Sequence, residues 1–288
     1  MAISRHQLVK ELEPGLNALF GLEYKRYDNQ HAEIYTSESS DRAFEEEVML
    51  SGFGNASVKS EGSGVAFDNA QESYSARYTH ETVALAFAIT EEAIEDNLYD
   101  RISSRYTKAL ARSMSNTKQV KAAAPLNNGL PSVDGFDSGD GVSLFNTSHT
   151  TVSGTSVKNT LTTQADLNET SLEQAMIDIS GMTDERGLRI AAKAVKMIVP
   201  SANQFQAERL MKSQGRVGTA DNDINALGSM GMIPQGYRVN NFLTDTDSFY
   251  IITDVPNGMK MFTRAPLTTA MEGDFDTGNV RYKARERY

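Results

Sequence analysis

The only imidazoles in the chain are His6, His31, His80 and His149, and no two stand at a spacing that would share one helix face or one metal-binding loop. They read as scattered surface or hydrogen-bonded histidines. Ser148 adjoins His149, the residue types of a nucleophile and its base, but no glycine-flanked elbow surrounds them, and sequence neighbours in a strand or loop point apart. Asp221, Asn222 and Asp223 could offer oxygen ligands to calcium, yet the twelve-residue loop with its central glycine and closing glutamate is missing, so a solvated turn is expected. Gly52, Gly54, Gly62 and Gly64 follow neither the GxGxxG order nor a Walker lysine, which points to flexibility and not to a phosphate cradle. With no cysteine, thiolate nucleophiles, sulfur-ligated metals and disulfide staples are excluded. The residues therefore suggest no catalytic, cofactor-binding or metal-binding site, and no cofactor.

The 288 residues carry a formal charge of −10 and a mean hydropathy of −0.43. Affinity for a phosphate backbone comes mainly from clustered Lys and Arg that displace counterions, so this balance argues against a nucleic-acid reader. It suits a protein kept soluble at high concentration, or a wall that encloses DNA without adhering to it. The longest apolar runs, such as 83–89, fall far short of the roughly 20 residues that cross a bilayer. The start MAISRHQLVKELEP has no signal-like apolar stretch, and a cytosolic protein is expected.

What positions these residues is a chain of changing character. Ser4 and Gln7 form a capping-box pattern, and Leu8, Leu12, Leu16 and Leu19 or Phe20 recur at helical spacing over 4–23, with Pro14 expected to kink or split the helix. Tyr24, Tyr27 and Tyr35 follow without a period, which reads as an arm with aromatic anchors and not as part of a closed core. From Glu45 the acidic run leads to a glycine-tipped hairpin, Gly62-Ser63-Gly64. Alternation at Val65 and Phe67, then at Tyr74, Ala76 and Tyr78, changes phase before Val83, Leu85, Phe87 and Ile89, so a bend or bulge is expected near His80. So polar a hairpin cannot supply its own core. Ordering it costs roughly 1–2 kcal/mol of backbone entropy per residue, which a neighbouring surface would have to offset.

Thr90 is the expected N-cap of a spine helix over 91–124, about 51 Å long, with an apolar line through Ile94, Leu98, Ile102, Tyr106, Leu110 and Met114 and a basic side at Arg101, Arg105, Lys108 and Arg112. A loop over 127–140 is read as the hinge into a second subdomain. There Thr170 and Glu173 form a capping-box pattern, 194–199 reads as a buried strand stopped by Pro200, and a helix over 201–212 carries Phe205, Leu210 and Met211. Strands follow near 237–243, 249–253, 259–264 and 280–287, the last with Arg281, Lys283, Arg285 and Arg287 on one side.

This order of parts resembles tailed-phage major capsid proteins of the lambdoid-head fold. The stretches LFNTSHTTVSGTSVKNTL (144–161), ETSLEQAMIDISGMTDERGL (169–188), KMIVPSANQFQAERLMKS (196–213), GTADNDINAL (218–227) and EGDFDTGNVRYKARERY (272–288) resemble major head subunits of the Mu-like group. The resemblance implies an α+β phage major capsid fold with an N-terminal arm over 1–44 and an extended β-hairpin loop over 45–80. It implies a peripheral domain over 81–130 and 262–288 with the spine helix, and a mixed α/β axial domain over 131–261. It further implies a non-enzymatic subunit that self-assembles through hexamers and pentamers into an icosahedral shell enclosing double-stranded DNA, assembled in the bacterial host cytoplasm and residing in the virion.

Lys59, Glu61, Gly62, Gly64, Arg77, Arg101, Arg105, Arg281 and Arg285 are the expected inter-subunit contacts. Lys59 lies in the loop from which some relatives crosslink a lysine to a neighbour's asparagine, but its surroundings do not match that motif and no covalent bond is expected. No long charged helical segment precedes the arm, so a separate scaffolding protein is expected, with a portal and no membrane among the partners; whether a decoration protein joins them is left open by the sequence. The rival readings are an encapsulin-like bacterial nanocompartment shell and a cytosolic hydrolase.

Overall fold

The computed structural model describes residues 5–90, 92–93, 99–130, 135–216, 223–274 and 277–288, apart from the side chains of 5–12 and 99–102. The helices are α1 (Arg5–Arg26), α2 (Tyr99–Asn127), α3 (Glu169–Ser180), α4 (Gln204–Lys212) and α5 (Ala226–Met230). The strands begin with β1 (Thr36–Ser39), β2 (Phe44–Leu50), β3 (Glu72–Thr79), β4 (Thr82–Ile89), β5 (His149–Thr150) and β6 (Ser156–Val157). They continue with β7 (Ala194–Val199), β8 (Tyr237–Val239), β9 (Tyr250–Thr253), β10 (Lys260–Thr263), β11 (Ala265–Gly273) and β12 (Val280–Arg287). Two compact units result, one from Met1–Glu45, Thr79–Ala122 and Met259–Tyr288, the other from Glu46–Tyr78 and Ala123–Gly258.

The first unit is built on an antiparallel sheet in the order β11-β12-β4. Along β12 the period of two is plain: Val280, Tyr282, Ala284 and Glu286 are buried while Arg281, Lys283 and Arg285 are exposed. Leu16 and Phe20 of α1, and Leu110, Ala111 and Met114 of α2, bury themselves against Tyr282 and Ala284. Asn17 Oδ1 accepts from Thr269 Oγ1 at 2.7 Å and from the Tyr282 hydroxyl at 2.8 Å, tying α1 to two strands. The phase change near His80 is a passage between sheets, since β3 pairs with β2 while β4 joins β12.

Several expectations are corrected here. Pro14 does not split α1, which runs unbroken; a proline removes one backbone donor, and burial of Leu16 and Phe20 beyond it holds the helix to the sheet. The segment after Gly21 is not outside a closed core. Tyr24 packs on the same cluster, the Tyr35 hydroxyl donates to Ala122 O at 2.6 Å, and the His31 N–H donates to Gln119 Oε1 at 3.0 Å. Tyrosines bury their rings while their hydroxyls find acceptors, and such contacts leave no period in the sequence. Ser4 and the side chains of Gln7, Leu8 and Leu12 lie outside the described residues.

The spine helix α2 is 29 residues, about 44 Å long. It continues past the expected end through Pro125 to Asn127, because a proline in the last turn forfeits only its own bond to the preceding turn. Thr90 Oγ1 accepts from the Ala93 N–H at 3.4 Å, as a cap would. Residues 91 and 94–98, with Ile94 and Leu98 of the expected stripe, and the side chains of Arg101 and Ile102 lie outside the described residues. Strand β11 was not expected. It opens on Ala265-Pro266, and proline is tolerated there because β11 is an edge strand.

In the second unit β7 is central, parallel to β8 and antiparallel to β9, and Met197 and Val199 are fully buried, as the apolar run ending at Pro200 demands. Leu172, Met176 and Ile179 of α3, Ala207 and Leu210 of α4, and Leu227 of α5 complete this core. The cap of α3 is Asn168, not Thr170: its Oδ1 accepts from the Ser171 N–H at 2.9 Å and its own N–H donates to Ser171 Oγ at 3.0 Å. Asn-x-x-Ser satisfies the same reciprocal pattern two residues earlier. Phe205 is 67% exposed and contributes nothing to the core. Residues 65–67 form no strand.

Candidate functional site

The hairpin strands β2 and β3 carry Arg77 against Glu46, Nε to Oε1 at 2.7 Å. At the hairpin's throat the Ser51 N–H donates to Gln71 O at 2.8 Å, and Ser51 Oγ accepts from the Gln71 N–H at 2.9 Å. Beyond it the chain has no regular structure until Glu72 apart from one turn, closed by the Ser63 N–H on Ser60 O at 3.1 Å. Gly62 sits in that turn at φ +80°, where a Cβ would be strained. The expected contact residues Lys59, Glu61, Gly62 and Gly64 are all exposed on this tip. Val58 and Phe67 are each 97% exposed, which a soluble monomer gains nothing by displaying.

The tip is anchored at one point. Asp68 accepts from the Gly54 N–H at 2.8 Å and from Arg186 Nη2 at 2.9 and 3.1 Å. The backbone donors of Gly54 and Asn69, and then the Arg186 guanidinium, hold the Asp68 carboxyl below its usual range. Arg186 is presented by a turn in which Asp184 Oδ1 accepts from the N–H groups of Arg186 and Leu188 at 2.9 and 2.8 Å. On the stem, Tyr74 lies over Gly139 so closely that a Cβ there would meet the ring at 2.1 Å. Neither contact was legible in the sequence.

Ser148 and His149 do not form a nucleophile and its base. Ser148 Oγ pairs with Ser156 Oγ at 2.8 Å, while His149 Nδ1 meets Asp140 Oδ2 at 2.8 Å and its Nε2 is buried with no partner. The carboxylate and the imidazole are joined, but the neighbouring serine is engaged elsewhere, so no proton path to a nucleophile exists there. Burial opposes ionisation of Asp140, but bonds from Ser138, His149 and the Val142 N–H outweigh it and lower its pKa. A cavity of about 620 Å³ in the second unit is lined by Leu161, Ile179, Met182, Phe249 and Ile251, with Asp166, Asp245 and Asp247 among its polar groups. The Asp245 carboxyl in its protonated form donates to the Asp247 carboxylate, and this bond, then burial, raises the Asp245 pKa. Among the described residues no group of three or more side chains could hold a metal ion, and no helix is long and apolar enough to cross a membrane. Asp221 and Asn222 of the weighed calcium loop lie outside the described residues.

In the first unit Arg105 is exposed on α2. Arg281 and Arg285 stand on one face of β12, with Arg281 paired to Asp274. Behind them, facing inward, Glu286 meets Lys118 Nζ at 3.2 Å with its side chain 3% exposed. Lys118 Nζ lies 5.2 Å from the Tyr288 ring centre, a cation-π contact. The described contact residues thus fall in three places, the loop tip with its stem, Arg105 on α2, and the outer side of β12.

A family model described as phage capsid protein matches residues 73–288. The chain belongs to the phage capsid protein family. As such it is a structural component of the virion and not an enzyme. The capsid of bacteriophage JBD30 is similar over 76% of this chain and 92% of that one, at 12% identity and a TM-score of 0.55. A second JBD30 structure, the capsid decorated with minor capsid protein trimers, gives 0.54 over 76% and 92% at 11% identity. A virus-like particle from Pyrococcus furiosus is similar over 94% of this chain and 91% of that one, at 11% identity and a TM-score of 0.51. At such identities these likenesses establish the fold, a mixed helix-and-strand capsid fold. No curated protein matches.

Proposed function

We propose that this phage capsid protein is the major head subunit of a tailed phage, of the Mu-like group, which closes with copies of itself into an icosahedral shell around double-stranded DNA. The observation that carries this reading is the hairpin tip, a segment without regular structure that displays Val58 and Phe67 at 97% exposure. Its glycine turn and lack of a core make sense where a neighbouring subunit covers it, and many such modest contacts add up through multivalency.

In this reading residues 1–44 are the N-terminal arm, whose helix α1 is seated on the chain's own β11-β12-β4 sheet, 45–80 the extended loop, 81–130 and 262–288 the peripheral domain, and 131–261 the axial domain. Lys59, Glu61, Gly62, Gly64 and Arg77 of the loop, with Arg101 and Arg105 of the spine helix, reach neighbouring subunits; Arg281 and Arg285 of β12, expected at the same contacts, are assigned instead to contact with another protein. A separate scaffolding protein and a portal are the further partners, and assembly takes place in the host cytoplasm.

Negative-stain microscopy of the chain co-expressed with its genomic neighbours tests this. Closed shells of uniform size are expected; a chain that stays monomeric at high concentration, with all partners present, overturns the reading. A nanocompartment shell is the second reading, supported by the likeness to the Pyrococcus furiosus particle over most of both chains. Shells that enclose a dedicated enzyme and no DNA would favour it.

A further inference from the structure

The outer face of the β11-β12-β4 sheet has an unusual composition. Antiparallel sheets that meet water on one side fill that side with long polar residues. Here β12 presents Arg281, Lys283 and Arg285, all exposed. The register sets Ala88, Ala86 and Ala84 of β4 opposite them on one flank and Glu272, Ala270 and Thr268 of β11 on the other. Directly paired residues share a face, so a row of cations about 7 Å apart runs along the centre of a floor made mostly of alanine. Ala84, Ala86 and Ala88 are exposed, although alanine is a poor strand former. Arg281 is engaged by Asp274, whereas Lys283 and Arg285 have no side-chain partner among the described residues.

We infer that this strip is a docking surface for an extended acidic segment of another protein, laid along the alanine floor with carboxylates on alternate residues reaching Lys283 and Arg285. A chain with charges at every second position repeats at the spacing of the cations, and small side chains let its backbone come close. Duplex DNA fits less well. It is a thick convex cylinder that would touch the cation tips and leave the floor bare. A second copy of this chain is also a poorer occupant. Among the described residues its acidic pairs at alternate positions are already engaged: Glu45 and Glu47 by Ser40 and Tyr78, Asp245 and Asp247 by each other, and Asp274 beside Glu272 by Arg281. The inference goes beyond the shell reading and does not depend on it.

The test is fluorescence anisotropy of a labelled peptide alternating glutamate and threonine, titrated with the full-length chain. The matching lysine-threonine peptide and a short duplex DNA serve as comparisons, at low and high salt. The acidic peptide is expected to bind best, and the double variant K283E/R285E to weaken it about tenfold or more. Ala86→Arg discriminates the modes of contact: it adds positive charge but fills the floor, so it weakens a close-lying peptide and strengthens a ligand held by charge alone. Circular dichroism and melting curves establish that each variant is folded, and Ala86→Ser, which keeps the floor low, should bind as the parent does. Tighter binding of the acidic peptide to Ala86→Arg, equal or better binding of DNA, no acidic-peptide binding at all, or loss of self-association in the charge-reversed variant in the absence of any other protein would each overturn the inference.

Discussion

Asp68 and Arg186, separated by 118 positions in the chain, meet with Nη2 at 2.9 and 3.1 Å from the two carboxylate oxygens. The pair holds an otherwise coreless loop tip to the second unit, with the Gly54 N–H as the other donor to Asp68. Because the pair is at the surface, its worth lies in where it holds the loop and little in overall stability. Asp68→Ala and Arg186→Ala should each raise hydrogen exchange or proteolysis across 52–70 several-fold while leaving the melting temperature almost unchanged. The double variant should add nothing further. Additive effects would mean that the two residues act separately.

The buried pair Lys118–Glu286 should behave in the opposite way. Glu286 is nearly inaccessible, with Oε2 shared by Lys118 and the Tyr24 hydroxyl and Oε1 without a partner. Lys118→Met strands the carboxylate and should cost about 3–5 kcal/mol, whereas Lys118→Met with Glu286→Leu should recover most of that loss. Urea denaturation of the single and double variants measures both.

Phe20 tests whether the first helix belongs to the core. The ring is 2% exposed against Leu110, Met114 and Tyr282, so Phe20→Ala should cost about 3–5 kcal/mol in chemical denaturation. A detachable arm would lose almost nothing.

His31 sets a pH dependence. Burial, and then the charge of Lys118, lower its pKa below the ordinary histidine value. Gln119 Oε1 accepts the His31 N–H, so its amide group donates to Nδ1 at 2.9 Å and the neutral ring carries its proton on Nε2. The unfolded chain then takes up a proton at a pH where the folded one does not. Stability is therefore at its full value above about 6.5, the unfolded pKa, and declines as pH falls from there toward the lowered folded pKa. Melting temperatures from neutral to mildly acid pH should fall more in the parent than in His31→Gln. Identical slopes would remove His31 as a source.

The strands and helices that bury one face were legible from residue order alone. The alternation at 280–287, the apolar run 194–199 and the spine helix come from periods of two and 3.6 that belong to the backbone, and the glycine-tipped turn at Gly62 follows from the need for positive φ. The absence of cysteine and of any paired histidine spacing already argued against a catalytic or metal role. Capsid-family resemblance was readable in the later stretches for the same reason, since local order was enough to carry it.

Tertiary structure alone decided which distant residues meet. It placed Phe20 and Tyr24 in a core instead of on a loose arm, moved the helix cap from Thr170 to Asn168, tied Asp68 to Arg186, and set three alanines of β4 beside the cations of β12. Pairing register and long-range contact depend on the balance of the whole fold against chain entropy, and nothing in a residue's immediate neighbours along the sequence records it.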